Sequence, residues 1–245
     1  MNRFFVDPVQ IQGDRARIVG EDVKHISRVL RLAAGDQIVL CDGACTDYRA
    51  RIDEVKKEAV LLTILHSGPS VTEPQRRVTL YQGLPKAGKM EIILQKCVEL
   101  GIWSVVPVVA RRSVVKLCPQ EFEPKRLRYQ RIAYEAAKQA RRGIIPQVTS
   151  LSTSYEETAV SRHDLLLIAD EEERAVSLKE VLRANLNALD IGLIIGPEGG
   201  LERCEVATLR ERGGICLTMG PRVLRTETAG TAALAMIFYE LGDME

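Results

Sequence analysis

From Val78 to the end of the chain, short apolar runs alternate with stretches of helical period. This alternation constrains the fold more than any other feature, because strands that take turns with helices pack as an α/β domain around a mainly parallel sheet. Val78 to Gln82 reads as the first strand. A helix follows, with Met90, Ile93, Leu94, Cys97 and Val98 on one stripe and Gly101 as its cap. Ile102 to Val109 is the next strand, and Pro107 pushes that end toward a sheet edge. A longer helix is predicted from Pro124 to Arg142, apolar along Tyr129, Ile132, Ala133, Ala136, Ala137 and Ala140, and basic along Arg128, Arg131, Lys138 and Arg142. Leu165 to Ile168, Ile191 to Ile195 and Ile215 to Met219 complete the strands. Ser177 and Glu180 form a capping box for a helix carrying Leu178, Val181, Leu182, Leu186 and Leu189.

The first 70 residues differ in period. Short β-type runs at Arg17 to Val19, Gln37 to Leu40 and Val60 to Leu65 surround one helix that starts at Glu21 and Asp22 and closes at Gly35, and Asp42-Gly43 signals a hairpin turn. Turn formers gather between Ser67 and Pro74, which sets the expected domains at 1–70 and 74–245. The longest nearly apolar run, Ala229 to Tyr239, is shorter than the roughly 20 residues a bilayer requires. The first residues lack a secretory h-region, so a cytoplasmic location is expected. Six cysteines without a CxxC pair and three scattered histidines give no expectation of a metal or a disulfide framework.

A net charge of +1 conceals an asymmetry. Residues 71–150 hold 15 basic and 6 acidic side chains, whereas residues 151–245 hold 9 and 17. The middle third is therefore the candidate surface for a polyanion. The last two strands run into loops at the carboxyl end of the sheet, where open α/β sheets bind ligands. Gly196-Pro197-Glu198-Gly199-Gly200-Leu201 lacks the spacing of either phosphate-binding fingerprint, and Glu198 among its glycines disfavours a polyphosphate. It suits close backbone approach to a flat, neutral or cationic ligand such as an adenosine bearing a sulfonium. In the second loop Thr226 or Thr228 is the expected N-cap. Arg225, a cation at a helix N-terminus, opposes the helix dipole and calls for a partner. That partner is an RNA phosphate, negative charge developing on a base, or an ion pair with Glu227 or Glu198.

Gly196 to Leu201, followed by Leu224-Arg225-Thr226-Glu227-Thr228-Ala229, resembles the ribosomal RNA small subunit methyltransferase E family of the SPOUT superfamily. Lys96-Cys97-Val98-Glu99-Leu100-Gly101, Arg112-Ser113 and Glu135-Ala136-Ala137-Lys138-Gln139 extend the likeness, and Arg3-Phe4-Phe5 with His25 to Leu32 resembles its PUA-like domain. Where the family has Gln-Ser-Gly-Arg this chain has Gln139-Ala140-Arg141-Arg142, with Arg142 in the arginine position. The resemblance implies an α/β fold: a SPOUT-type parallel sheet with a C-terminal trefoil knot, after a small PUA-like β-barrel domain. It also implies a homodimer that uses S-adenosylmethionine to methylate N3 of a uridine in 16S rRNA within the small ribosomal subunit. By the same resemblance Ile195, Gly196, Pro197, Glu198, Gly199, Gly200, Leu201, Leu217, Met219, Gly220, Leu224, Arg225, Thr226 and Thr228 line the cofactor pocket.

Methylating a ring nitrogen requires in-line approach to the sulfonium methyl and loss of the imino proton, so positioning and charge stabilisation dominate. Arg225 is expected to stabilise the enolate-like base or an adjacent phosphate, and Glu227 or Glu135 to remove the proton. Arg111, Arg112, Arg128, Arg131, Lys138, Gln139 and Arg142, with Arg3, Arg28 and Arg31 of the first domain, are the expected RNA contacts. Two alternatives stay open: a 2′-O-ribose methyltransferase of the same superfamily, and a non-catalytic assembly factor that binds RNA.

Overall fold

Strand formation in the N-terminal part follows the two-residue period of buried side chains. The computed structural model describes every residue except 87, 156, 159–161 and 245. Its first strands are β1 (Arg3–Phe5), β2 (Ile11–Gln12), β3 (Arg15–Val19), β4 (Gln37–Cys41), β5 (Thr46–Val55) and β6 (Ala59–Pro69). In β3, Ala16 and Ile18 are buried while Arg15, Arg17 and Val19 face solvent. The sheet runs in the order β1-β4-β5-β6-β3-β2. β1 lies parallel to β4 and the other pairs are antiparallel. Its buried face packs Phe4, Ile18, Ile38, Leu40, Ile52 and Leu62 with Ile26 of the intervening helical segment. That segment is shorter than expected. α1 (Glu21–Lys24) widens into a π turn over His25–Val29, and the chain then turns at Arg31 (φ 53°). Gly35 (φ 97°) serves the turn into β4 rather than closing the helix.

Residues 1–73 form one unit together with residues 137–145. Glu73 is the reason the second segment belongs there. Its carboxylate accepts hydrogen bonds from the Arg142 guanidinium and from the backbone N–H groups of Gly143 (2.6 Å) and Ile144 (3.2 Å). The Cys45 N–H donates to the Gly143 carbonyl at 2.9 Å. A side chain at Gly143 would meet Ser70 Cβ and Oγ at 2.3 Å, so only glycine fits.

Residues 74–136 and 146–245 form the second unit. β7 (Arg77–Gly83), β8 (Ser104–Val108), β9 (Gln147–Val148), β10 (Leu165–Ala169), β11 (Asp190–Ile195) and β12 (Ile215–Leu217) pair in the order β12-β10-β11-β7-β8-β9, every pair parallel. The helices are α2 (Lys89–Leu100), α3 (Pro119–Gln139), α4 (Leu178–Ala184), α5 (Arg203–Glu211) and α6 (Thr226–Leu241). β11, one of the two central strands, reads Ile-Gly-Leu-Ile-Ile because both of its faces are covered. Gly101 caps α2 at φ 111°. Pro107 lies beyond the two-residue β9, and its carbonyl accepts from Ser152 N–H.

Several boundaries moved. α3 begins at Pro119, where the Glu121 carboxylate takes the Cys118 N–H, so Pro124 falls inside the helix. It ends at Gln139 because Arg141 adopts φ 56°. The Ser177–Glu180 capping box forms, but α4 stops at Ala184 and leaves Leu186 and Leu189 exposed. β12 ends at Leu217. α5 was unforeseen.

Candidate active site

The carboxyl ends of β10, β11 and β12 open into a cavity of about 330 Å³, closed on one side by the start of α6 and by Lys89 at the start of α2. Ile195, Leu201, Leu217, Val223, Leu224 and Ala229 give it apolar walls, and the backbones of Gly196, Gly200 and Gly220 bring the chain close. This is the size and lining of a small-molecule site. Both expected loops reach it. Gly199 and Thr228 are outside the lining.

The first loop is braced from several sides. The Tyr155 hydroxyl, fully buried, donates to the Ile195 carbonyl at 3.0 Å. Burial pushes that phenol well above its usual range, so it stays a donor. Arg112 donates to the Gly199 carbonyl at 3.2 Å, and a Cβ on Gly199 would stand 3.1 Å from Arg112 Cβ. Glu205, 1% exposed, accepts from the N–H of Glu202 (2.8 Å) and of Arg111 (3.0 Å), tying α5 to the chain segment after β8.

A buried chain of hydrogen bonds joins three segments at the floor. Gln82 Nε2, at the end of β7, donates to the Gly83 carbonyl and to Thr226 Oγ1 (2.9 Å), and the Thr226 hydroxyl donates to the Gly196 carbonyl (2.7 Å). Thr226 is thus the first residue of α6 with a tertiary role, and neither it nor Thr228 caps the helix; Arg225 occupies the cap position and offers no side-chain cap. Thr226→Val keeps the volume but leaves the Gly196 carbonyl unpaired. Chemical denaturation should show a loss of about 1–3 kcal/mol. A variant as stable as the parent would remove the hydroxyl from any structural role.

Charge at the cavity mouth is arranged by a lysine. Lys89 Nζ lies 3.0 Å from Glu198 and 3.1 Å from Glu227. Hydrogen bonding to Glu198 and then Glu227 raises the lysine above its usual range. Burial acts to raise Glu198, but its own backbone N–H, Lys89 and the Lys86 N–H together hold it below the ordinary carboxylate range. Glu227 is lowered first by its own N–H, against burial, with Lys89 and Arg225 adding to the effect. Because Lys89 holds both carboxylates, Arg225 forms no ion pair with either. It is exposed on the cavity wall and has no carboxylate within ion-pair distance among the described residues. A lowered carboxylate is a weaker proton acceptor than a free one.

The other expected residues are scattered. Glu135 is exposed on α3 and does not line the cavity. Arg142, expected on the basic face of a helix, is 3% exposed, outside α3, and paired with Glu73. Arg3 is held by Asp47 (2.5 Å) and Ser70, and Lys138 by Asp22 (2.7 Å). Arg128 is exposed with Glu91 at 2.8 Å, while Arg28, Arg31, Arg111, Arg131 and Gln139 face solvent. Sequence reasoning missed Gln82, Lys89, Tyr155 and Glu205. Two carried a signal: Gln82 is a polar end to an apolar strand, and Lys89, like Arg225, is a cation placed against a helix dipole.

The fold and this cavity define an α/β domain with a small-molecule site at its strand ends, and comparison with known proteins gives its class, the RNA methyltransferases. Residues 72–238 match the RNA methyltransferase domain family and residues 18–65 the RNA methyltransferase PUA domain family. Ribosomal RNA small subunit methyltransferase E of Bacillus subtilis is 35% identical, with 98% of this chain and 97% of that protein aligned. The Mycobacterium bovis protein of the same name is 31% identical over 96% and 90%. The crystal structure of a Neisseria gonorrhoeae ribosomal RNA small subunit methyltransferase E bound to S-adenosyl methionine is 28% identical, covers 98% of this chain and 97% of its own, and superposes with a TM-score of 0.81. This chain belongs to the ribosomal RNA small subunit methyltransferase E family. No helix among the described residues is long and apolar enough to cross a membrane.

Proposed function

We propose that the chain transfers a methyl group from S-adenosylmethionine to N3 of a uridine in 16S rRNA, acting on the small ribosomal subunit as a cytoplasmic homodimer whose C-terminal half carries the family's trefoil knot. One observation carries this reading: an apolar cavity at the ends of β10, β11 and β12, with an uncommitted arginine on its wall. The walls accept a flat purine, and glycine backbones allow it to approach closely, so the residues present fit a nucleoside. S-adenosylmethionine supplies an electrophilic methyl on a sulfonium. Arg225 meets the negative charge that grows on the base as N3 loses its proton. Lys89 offsets one of the two negative charges of Glu198 and Glu227 at the mouth, where a polyanion has to come near. Exposed Met236 and Tyr239 on α6, with Ile92 on α2, support a second copy packing there.

The test is nucleoside mass spectrometry of small subunits from cells lacking the protein, before and after incubation with the pure protein and S-adenosylmethionine. N3-methyluridine appearing only afterwards is the expected result. A ribose-methylated nucleoside, or none despite cofactor binding, overturns it in favour of the ribose methyltransferase or the assembly factor.

Arg111, Arg128 and Arg131 are the proposed phosphate contacts in the second unit. The double reversal Arg128→Glu with Arg131→Glu should reduce the slope of log affinity against log salt by about 0.7–0.9 for each phosphate that is no longer neutralised. An unchanged slope places the RNA elsewhere.

A further inference from the structure

Four consecutive acids, Asp170 to Glu173, follow β10 at the edge of the cavity, and three of them are committed to arginines. Asp170 and Glu172 pair with Arg203, and Glu173 pairs with Arg210 at 3.2 Å while accepting backbone N–H groups from Arg174 and Ala175. Glu171 alone has no hydrogen bond and no ion pair among the described residues, although Arg174, Arg222 and Arg225 also line the cavity. Its carboxylate lies over the glycine loop: a Cβ on Gly200 would stand 3.0 Å from Glu171 Oε1, and Gly200 itself is at φ 69°.

We infer that Glu171 is a specificity residue that accepts the two ribose hydroxyls of the nucleoside cofactor, an inference that rests on the function proposed above. An ionised carboxylate only accepts, and its two oxygens match the two O–H donors of a vicinal diol. Carboxylates read ribose hydroxyls in the same way at the strand ends of dinucleotide-binding sheets. The make-up of the lining agrees. Ile195, Leu217 and Leu224 supply apolar surface for a base, and Lys89 and Arg225, at the starts of α2 and α6, add charge to the lining. Glu171 follows β10 and lines the same cavity, with its carboxylate over the loop after β11.

Calorimetric titration of the full chain and of Glu171→Ala with S-adenosylmethionine, S-adenosylhomocysteine and 5′-methylthioadenosine tests the assignment. All three contain the ribose, the first two contain the amino-acid ammonium, and only the first contains the sulfonium. Affinity for all three should fall by a similar factor, roughly ten- to a hundred-fold, and Glu171→Gln, which keeps one acceptor oxygen, should restore part of it. Unchanged affinities overturn the inference. So does a loss that spares 5′-methylthioadenosine, which would assign the carboxylate to the ammonium, or a loss confined to S-adenosylmethionine, which would assign it to the sulfonium. A parent chain that binds none of the three overturns the cofactor reading itself, and this inference with it.

Discussion

Arg142→Ala should destabilise the protein far more than removal of a surface arginine does, by about 3–5 kcal/mol, because it strands a buried carboxylate. Glu73 and Arg142 are 6% and 3% exposed at their side chains, and the remaining donors to Glu73 are the Gly143 and Ile144 N–H groups. Two amide donors soften the loss of the guanidinium and cannot replace its charge. For a chain of this length the shift in Tm is on the order of 10 °C. Arg128→Ala is the matched control: its pair with Glu91 is solvent-exposed, and its removal should cost less than about 1 kcal/mol. Thermal unfolding of the two variants side by side decides the matter, and equal losses would mean that Glu73 is satisfied without the arginine.

Arg225→Ala should leave folding intact and reduce methyl transfer about 10²–10³-fold at saturating substrate, the effect of removing one preorganised donor from a developing oxyanion. The side chain is exposed, pairs with no carboxylate among the described residues and contributes no cap, so its loss has little structural cost. Glu227→Gln is expected to do less. Its own N–H, Lys89 and Arg225 already hold Glu227 below the ordinary carboxylate range, which makes it a weaker base than a free carboxylate. Single-turnover kinetics on small subunits compares the two. If Glu227→Gln proved the more damaging, proton removal rather than charge stabilisation would limit the reaction.

The parts of this architecture that sequence made legible are those in which local chemistry and tertiary context agree. β10 is an unbroken apolar run, and β11 is one from Ile191 onward, because a parallel sheet covered on both faces leaves no polar period. Gly101 announced the end of α2 because only glycine takes its backbone angles readily. β5 was invisible: Asp47, Arg49, Arg51, Asp53 and Glu54 dominate it, only Ala50 and Ile52 are buried, and two register shifts interrupt its period. Its strand character comes from pairing with β4 and β6 on either side. α5 has few apolar residues, and its cap is completed by a buried acid, Glu205, that also serves Arg111. At the site, the loops and Arg225 were readable from glycine spacing and helix polarity. The fate of Arg142 was not. Its spacing fits the basic stripe, and what removes it from that stripe is Glu73, 69 residues earlier, together with a left-handed arginine at 141 that no propensity signals.

Because the N-terminal unit draws on residues 137–145 as well as 1–73, it has a consequence for the order in which the chain matures. Domains commonly fold in sequence as synthesis proceeds from the N-terminus. Here the first unit cannot finish when its own sheet has emerged, for Glu73 waits for the Arg142 guanidinium and the Gly143 and Ile144 amides. By the time they arrive, β7, α2, β8 and α3 have already been made. The unit that begins first therefore closes only after more than half of the polypeptide exists, and a nascent chain halted at residue 100 would expose an acid that the finished protein buries.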